Sequence, residues 1–276
     1  MTEVAAPTES SPPAATAPLL VIDRLTKSFG GLAAVAAVSF DVAGGEIVSM
    51  IGPNGAGKTT AFNCITGLYP LTRGAVVLNG KRISGLPPHR VTKLGIARTF
   101  QNIRLFNYMT AIENVMVGEH CRMHAGVWDA LLRTPRARRE EKAVESRARE
   151  LLERLGLASY IDSYARNLPY GLQRRLEICR ALASNPRLLL LDEPAAGLNP
   201  KEKSELMAVI SQLRADGLTI FLIEHDMRVV MEISDRIVVL DHGEKIAEGP
   251  PQEVRTNTRV IEAYLGQGAT ADAGGG

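Results

Sequence analysis

The sequence predicts an α/β fold in which a helical insertion interrupts a strand-rich region. Short apolar segments of strand length alternate with helix-like segments near both ends of the chain. Between them, the stretch Ala111–Ala183 is mostly helical in pattern. A glycine-rich loop also follows one predicted strand directly and precedes a predicted helix. The 276 residues suffice for one large α/β domain or two modest lobes.

The individual elements follow from local patterns. The predicted strands are short apolar runs bounded by turn residues: Leu19–Leu25, Val38–Val42, Glu46–Ile51, Ala75–Leu78, Leu188–Leu191, Thr219–Ile223, Ile237–Leu240 and Lys245–Gly249. Glu140–Leu155 carries apolar residues at helical spacing and predicts a helix, and Thr59–Gly67 and Arg259–Leu265 are also predicted helices. We expect the strands on either side of the insertion to join one sheet.

The predicted domain spans residues 19–266, with the helical insertion at about 103–184. Residues 1–18 are rich in Pro, Ala, Ser and Thr, and they have neither a basic start nor an apolar core segment. They therefore predict a disordered tail rather than a signal peptide. The small, glycine-rich residues 267–276 predict a second flexible tail.

Composition narrows the classes of function. The hydrophobic fraction of 45% and the charged fraction of 22% are typical of a soluble globular protein. A net charge of +2 does not indicate a nucleic-acid scaffold, and no apolar run approaches the roughly 18 residues that a membrane-spanning helix requires. The three cysteines, Cys64, Cys121 and Cys179, show no metal-ligand spacing and predict reduced thiols in the cytosol.

The glycine-rich loop predicts a phosphate-binding site. It matches G-x-x-x-x-G-K-[ST] and comprises, with the residue after it, Gly52, Pro53, Asn54, Gly55, Ala56, Gly57, Lys58, Thr59 and Thr60. Glycines let the backbone curl so that several N–H groups point at a phosphate chain, and the following helix adds its positive N-terminal end. Lys58 would supply charge to the β- and γ-phosphates, and the Thr59 hydroxyl would ligate Mg²⁺. The loop alone leaves open a kinase, a GTPase, a helicase and a transporter ATPase.

Two carboxylates at the end of a predicted strand indicate catalytic chemistry. The apolar run Leu188–Leu191 is typical of a buried parallel strand, and it ends in Asp192 and Glu193. Ligands of doubly wound sheets lie at this carboxyl end, so Asp192 would hold Mg²⁺ directly or through water. Glu193 points to the other side of the strand and would act on the attacking water as general base. The alternative is a solvated Asp-Glu pair at the start of a loop.

The order of motifs from Phe29 to His225 resembles that of the ABC ATPases, over about residues 19–266. The resemblance implies a P-loop NTPase (RecA-like) core with an antiparallel β subdomain and an inserted helical ABC-type subdomain, and ATP and Mg²⁺ as ligands. Phe29 stands where the family stacks an aromatic ring on adenine, although a core phenylalanine is the alternative. Gln101 matches the glutamine loop, which ligates Mg²⁺ and senses the γ-phosphate. His225 matches the switch histidine, which contacts the γ-phosphate and positions the water.

The signature of the family, usually Leu-Ser-Gly-Gly-Gln, is altered in this chain. It corresponds to Leu168, Pro169, Tyr170, Gly171 and Leu172, followed by Gln173. Pro169 replaces the serine that usually contacts the γ-phosphate of the partner, and it has neither a hydroxyl nor an N–H. Gly171 and the helix that starts near it still offer amide donors and a helix dipole to a phosphate. A plain turn at a helix start is the alternative interpretation.

The segment Ala195–Pro200 stands in the place of the dimer-contact loop of the family, with Gly197, Leu198 and Asn199 as its contact residues. Asn199 replaces the usual aspartate, which keeps hydrogen-bonding capacity and loses charge. The resemblance implies a head-to-tail dimer in which the signature of one subunit covers the ATP of the other. Because the signature is altered, a heterodimer with a sister ATPase is favoured over two identical copies.

Among ABC ATPases, the chain is most similar to those of importers of branched-chain amino acids. The likeness rests on the Tyr-Gly form of the signature, on the insert His120–Arg149 and on the C-terminal segment Ile261–Gly266. It implies a Mg²⁺-dependent ATPase at the cytoplasmic face of the cell membrane. Its partners would be transmembrane permease subunits and, indirectly, an extracytoplasmic solute-binding protein.

Other functions remain as alternatives. A lipid, lipopolysaccharide or urea transporter would use the same nucleotide motifs, and so would an ABC ATPase that acts on nucleic acid or the ribosome. The single P-loop and the absence of sustained heptads argue against the latter class, and no nucleic-acid partner is expected. No acceptor site supports a kinase. The basic cluster of the insert predicts a solvated helix start rather than a membrane contact: Arg133, Arg136, Arg138 and Arg139.

Overall fold

The computed structural model describes residues 18–120 and 135–271, which form a mostly parallel sheet, an antiparallel sheet and a set of helices. The ten strands of this part of the chain are, in order, β1 (Leu20–Phe29), β2 (Leu32–Val42), β3 (Ile47–Ile51), β4 (Arg73–Leu78), β5 (Lys81–Arg82), β6 (Ile96–Arg98), β7 (Leu188–Asp192), β8 (Thr219–Ile223), β9 (Arg236–Asp241) and β10 (Glu244–Gly249). The predicted α/β class is confirmed.

Nine α-helices connect and cover these strands within the described ranges. They are α1 (Lys58–Ile65), α2 (Pro88–Lys93), α3 (Ala111–Glu119), α4 (Pro135–Arg154), α5 (Tyr170–Ala183), α6 (Pro200–Ala215), α7 (Met227–Ile233), α8 (Pro251–Thr256) and α9 (Thr258–Ala271). Among them, none combines the length and the apolar character needed to cross a membrane.

The larger sheet brings three loops to one edge. Its strand order is β10-β9-β3-β8-β7-β6, parallel from β9 to β6, with β10 antiparallel at the margin. Every residue of β3, β7 and β8 is buried, as expected of central parallel strands. Because these three strands are parallel neighbours, the loops after Ile51, Asp192 and Ile223 lie side by side at their carboxyl ends.

The smaller sheet supports the same region from the side. Its strand order is β2-β1-β4-β5, and all its pairings are antiparallel. Apolar residues of both sheets share one core with α1, for example Ile22, Phe62 and Phe221. The antiparallel β subdomain implied by the resemblance is therefore present, and it packs against the helix that follows the glycine-rich loop.

The helical insertion lies between β6 and β7. A capping box of Thr110 and Glu113 starts α3, which satisfies the first free amides of that helix. Side chains of α3, α4 and α5, such as Val115, Leu152 and Ile178, pack in one core cluster. Since α5 leads into β7 through a short connection, the C-terminal end of α5 is held close to the start of that strand.

Several boundaries differ from those predicted by the sequence. β1 and β2 are longer than expected, because the two strands pair as far as their connecting turn, Phe29 opposite Leu32. β5, β6, α2, α6, α7 and α8 were not predicted. Strands of two or three residues and helices of six or seven residues leave little periodic signal, but α6 is a helix of 16 residues that the sequence analysis missed. α9 continues to Ala271, past the predicted boundary at 266.

Some predictions concern residues that the structure does not describe. The predicted insert His120–Arg149 falls partly on residues 121–134, which lie outside the described ranges, together with Cys121 and Arg133. The predicted tails, residues 1–18 and 267–276, lie mostly outside the described ranges, but residues 267–271 of the second tail belong to α9. Cys64 and Cys179 are described, and both are buried free thiols.

Candidate nucleotide-binding and catalytic site

The glycine-rich loop follows β3 and adopts a conformation that requires its glycines. Gly52 has φ 150° and Gly57 has φ 99°. A Cβ atom on Gly52 would lie 2.1 Å from the Leu240 carbonyl oxygen, and one on Gly57 would lie 2.4 Å from that of Ala34. Backbone carbonyls cannot yield at such distances, so larger residues are excluded at both positions. The predicted phosphate loop therefore has the tight curl that this type of site needs.

The first turn of α1 is open to an anion. Gly57 is its N-cap in the left-handed region, no side chain caps the helix, and the first turn contains no acidic residue. The amide groups at a helix start carry a partial positive charge and attract phosphate. Thr59 and Asn54 are exposed beside this turn.

Lys58 is buried against the loop that it would complete. Its Nζ donates to the carbonyl oxygens of Gly52, at 2.6 Å, and Pro53, at 2.9 Å. Burial lowers the pKa of Lys58, and the nearby charges of Glu193 and Asp192 oppose that shift. The ammonium group thus lies between the loop and the carboxylates at the end of β7.

Asp192 forms a buried ion pair that the sequence analysis did not anticipate. Its Oδ2 accepts a hydrogen bond from Arg98 Nη2 at 2.7 Å, and both side chains are almost fully buried. Arg98 also donates to Asn63 Oδ1 at 2.7 Å and to Thr66 Oγ1 at 3.2 Å. The only signal in the sequence was that Arg98 stands in the same short segment as Gln101, at the end of a strand too short to predict.

The three predicted catalytic side chains converge. Glu193 Oε2 accepts a hydrogen bond from Gln101 Nε2 at 2.9 Å and lies 3.8 Å from His225 Nδ1. Glu193 has φ 46°, a left-handed backbone conformation that is rare for a residue with a side chain and is common at functional sites. Gln101 and His225 are largely exposed, whereas Glu193 is half-buried. Residues from three separate loops thus surround one carboxylate.

Glu224 links two of these loops and was missed by the sequence analysis. It is fully buried, and its carboxylate accepts hydrogen bonds from the backbone amides of Ala195 at 2.8 Å, His225 at 3.1 Å and Asp226 at 3.4 Å. Burial raises the pKa of Glu224, and these amide bonds oppose the rise. A carboxylate directly after the apolar strand β8 was the available signal.

The residues predicted to hold Mg²⁺ are chemically suited to it. Thr59, Gln101 and Asp192 offer hydroxyl, amide and carboxylate oxygens, which are the hard donors that Mg²⁺ prefers beside phosphate oxygens. No cluster of three or more His, Cys, Asp or Glu side chains forms an alternative metal site in residues 18–120 and 135–271. Arg98 already neutralises one oxygen of Asp192, so an ion there would share this carboxylate with a guanidinium.

Phe29 lies at the surface rather than in the core. Its side chain is 47% exposed and packs edge-on against Tyr69, with ring centroids 5.5 Å apart. Lys27 Nζ lies 4.8 Å from the centroid of the Phe29 ring. The alternative of a core phenylalanine is therefore excluded, and a partly exposed aromatic ring lies at the end of β1.

The altered signature forms the start of α5 and contacts the dimer-loop segment of the same chain. Pro169 is the N-cap, and its side chain makes no capping bond. The Tyr170 ring lies 3.1 Å from the position of a Cβ on Gly197, and a Cβ on Gly171 would lie 2.8 Å from Glu202 Oε1. Leu168 is buried, Leu172 is half-buried, and Gln173 Nε2 donates to the Leu168 carbonyl at 2.9 Å.

Arg174 ties the signature helix to the glutamine loop, and the sequence analysis did not single it out. It is completely buried and donates to the carbonyl oxygens of Phe100, at 2.8 Å, and Gln101, at 2.9 Å. It also donates to Glu177 Oε2 at 3.1 Å and to the Tyr170 hydroxyl at 3.2 Å. The backbone beside one predicted catalytic residue is therefore fixed to the helix that carries the signature.

Asn199 has a structural role within the chain. It is the N-cap of α6, where its side chain accepts from the Glu202 amide at 2.9 Å and Glu202 completes a capping box. Leu198 beside it is 7% exposed. Asparagine and aspartate cap helices about equally well, so the loss of charge at this position leaves the cap intact.

Comparisons with known proteins agree with this geometry. Residues 35–196 match a family described as ABC transporter, and residues 244–270 match one described as branched-chain amino acid ATP-binding cassette transporter. The chain is 49% identical over 251 residues to the high-affinity branched-chain amino acid transport ATP-binding protein BraF of Pseudomonas aeruginosa, covering 91% of this chain and 98% of that protein. It is 50% identical, with the same coverage, to the corresponding LivG protein of Escherichia coli K12.

A solved structure extends the agreement to three dimensions. The crystal structure of the ADP conformation of an ATP-binding cassette from an ABC transporter superposes with a TM-score of 0.80 at 34% identity, covering 91% of this chain and 100% of that one. The phosphate loop, the paired carboxylates and the family matches therefore lead to one assignment. The chain belongs to the ABC transporter family, as one of its ATP-binding cassettes.

Proposed function

We propose that this chain is the Mg²⁺-dependent ATPase subunit of an importer for branched-chain or other hydrophobic amino acids. The convergence of Gln101 and His225 on Glu193, next to the phosphate loop, is the observation that carries the hydrolytic role. The choice of substrate is supported by the match of residues 244–270 and by the amino-acid transport function of the two relatives.

ATP would lie across the loops that follow the carboxyl ends of the parallel strands in the larger sheet. Phe29 stacks on adenine, and the amides of the phosphate loop and of the first turn of α1 bind the phosphate chain. Lys58 exchanges its two carbonyl partners for phosphate oxygens. Thr59, Gln101 and Asp192 would hold Mg²⁺, which would supply positive charge beside the phosphates.

Hydrolysis would depend mainly on positioning. Glu193 accepts the proton of the attacking water, while His225 and Gln101 orient the water and the γ-phosphate. The short path from Gln101 through Arg174 to the signature helix lets one nucleotide site sense the position of the other. The segment after Gln101 is where a permease would dock.

The assembly that fits these features is an asymmetric head-to-tail dimer at the cytoplasmic face of the membrane. A sister ATPase with a fuller signature would cover the ATP bound by this chain, while Pro169 and Tyr170 would cover the ATP of the sister. Transmembrane permease subunits complete the transporter, and a solute-binding protein delivers the amino acid from outside.

Affinity purification of the full-length chain from native membranes tests the transport role. We expect amino-acid permeases and a second ATPase to co-purify, and we expect addition of the amino acid with its binding protein to stimulate ATP hydrolysis. A matched preparation with Lys58→Ala should retain the subunits and lose the stimulation. Recovery of lipopolysaccharide-transport components, or of DNA, would overturn the proposal.

A further inference from the structure

Glu224 connects two loops that carry different parts of the candidate site. Its Oε1 accepts from the Ala195 amide at 2.8 Å, and its Oε2 accepts from the His225 amide at 3.1 Å. Ala195 belongs to the segment between Glu193 and the dimer-contact residues. One buried side chain therefore spans the loop after β7 and the loop after β8.

The surrounding backbone makes this link direct. The Glu193 amide donates to the Ile223 carbonyl at 2.9 Å, so the ends of β7 and β8 are joined immediately before both loops begin. Beyond that point, the Glu224 carboxylate continues the connection. A displacement of the segment at Ala195 would thus be carried to the backbone of His225.

We propose that Glu224 is a positioning residue that sets the distance between His225 and Glu193 and transmits movement of the dimer-contact loop to His225. The inference rests on the proposed roles of His225 and Glu193 in hydrolysis. Glu224 is buried, and its Oε2 accepts from the His225 amide and lies 3.9 Å from His225 Nδ1, so its effect is exerted through the position of His225. In a closed dimer, contact of the partner with Gly197 would move the His225 side chain toward the position in which it contacts the γ-phosphate.

A carboxylate is the group that this position requires. An ionised carboxylate only accepts hydrogen bonds, and here it meets backbone N–H donors from both loops. Replacement by Gln keeps the shape but turns one oxygen into an NH₂ group, which opposes an amide donor instead of accepting from it. The Glu224→Gln variant would therefore retain the link to one loop and lose the link to the other.

The test measures ATP hydrolysis by the full-length chain in complex with its co-purified subunits. We expect Glu224→Gln to lower kcat about 100-fold, the loss typical of misplacing a reacting group by roughly 1 Å, with the Kd for ATP changed less than about threefold. The control is Asp235→Asn, since Asp235 also accepts from a backbone amide, that of Ile47 at 2.9 Å, but at the opposite edge of the sheet. Asp235→Asn should leave kcat at the wild-type level.

A double-mutant cycle separates positioning from general stabilisation. If Glu224 acts through His225, Glu224→Gln should have almost no further effect on kcat in a His225→Ala background. Equal losses in both backgrounds, or wild-type kcat in Glu224→Gln, would overturn the inference.

If the Gln variant unfolds, Glu224→Asp keeps the charge while shortening the side chain. It should then give an intermediate kcat, and a wild-type kcat would count against the inference.

The same cycle keeps this inference apart from the proposed function. Full hydrolysis by His225→Ala would contradict the role of the histidine itself. An inactive His225→Ala together with a fully active Glu224→Gln would contradict only the positioning role of Glu224.

Discussion

At the scale of single residues, Glu193 combines an unusual backbone with a converging set of side chains. Its φ of 46° places a non-glycine residue in the left-handed region, which costs on the order of 1–3 kcal/mol. The hydrogen bond from its amide to Ile223 holds this conformation, and Gln101 and His225 face the carboxylate. Backbone strain at Glu193 is consistent with a catalytic role in which the carboxylate must point in a fixed direction.

The first prediction follows from that carboxylate. Glu193→Gln should bind ATP with an affinity within about threefold of wild type, whereas kcat should fall roughly 10²–10⁴-fold because the general base is lost. Nucleotide titration and phosphate release from the assembled complex measure the two quantities. Glu244→Gln makes the same chemical change at an exposed residue of β10 and should alter neither. Full hydrolysis by Glu193→Gln would contradict the assignment.

The buried thiols supply a second prediction at this scale. Burial raises the pKa of Cys64 to about 11, and it also raises the pKa of Cys179. At pH 8 only about one Cys64 thiol in a thousand is ionised, and the thiolate is the reactive form. We expect iodoacetamide to leave both residues unmodified in the folded protein and to modify both in urea, as peptide mass spectrometry would show. Rapid labelling of Cys64 or Cys179 in the native protein would contradict this.

At the scale of elements, the central connection is between α5 and the glutamine loop. Arg174 is buried completely and pairs with Glu177, which is also buried, while it holds the Phe100 and Gln101 carbonyls. A buried ion pair often adds little net stability, but removal of one partner leaves an uncompensated charge. The Arg174–Glu177 pair therefore favours this one packing of α5 against the glutamine loop, because other packings would leave one of the two charges buried without its partner.

The third prediction concerns this pair. Arg174→Met should lower the free energy of unfolding by about 3–5 kcal/mol, because Glu177 loses its partner. Burial raises the pKa of Glu177, and Arg174 opposes that rise, so removal of Arg174 should raise it further. A carboxyl group whose folded pKa is raised favours the fold below its unfolded pKa and penalises it as pH rises. The deficit should therefore be larger at pH 7 than at pH 4.5.

Urea titration at the two pH values measures that difference. The double variant Arg174→Met with Glu177→Leu is the matched comparison, since it removes both charges and should recover part of the lost stability. A deficit in Arg174→Met that does not change with pH would show that the uncompensated Glu177 charge is not its cause.

At the scale of the whole molecule, the two faces of the cassette are unequal. The nucleotide-binding face has its phosphate loop, its carboxylates and its histidine brought together. The signature face has Pro169 as an N-cap that forms no side-chain bond, and Tyr170 packs on Gly197 of the same chain. In a dimer of two copies of this chain, each of the two ATP molecules would therefore face an altered signature.

The fourth prediction follows from this asymmetry. In the presence of ATP, the Glu193→Gln chain alone should remain monomeric, and it should form a 1:1 complex when mixed with its sister ATPase, because only that arrangement supplies a fuller signature. Size-exclusion chromatography with light scattering measures the mass. Adding Pro169→Ser and Tyr170→Gly should promote self-association. A stable ATP-dependent homodimer without those changes would contradict the expectation.

The sequence alone determined the α/β class, and it predicted the phosphate loop, Asp192 and Glu193, because these features depend on local patterns along the chain. His225 was predicted from the resemblance to the ABC ATPases. Glycines followed by lysine, and an apolar run ending in carboxylates, specify local chemistry wherever the segment lies. Local patterns did not predict β6 and α2, which are too short to produce a period, and they also missed α6, a helix of 16 residues. Nor did they predict the exact ends of β1 and β2, which are set by pairing with each other.

Only the tertiary structure decided which side chains meet across the sheet. The Arg98–Asp192 ion pair, the hydrogen bonds of Arg174 to the glutamine loop and those of Glu224 all join residues from separate strands, loops or helices. Such contacts depend on the order and register of parallel strands, and a strand order of β3-β8-β7-β6 cannot be read from a chain in which those strands lie far apart. Sequence spacing thus supplies the reactive groups, and the sheet sets the distances between them.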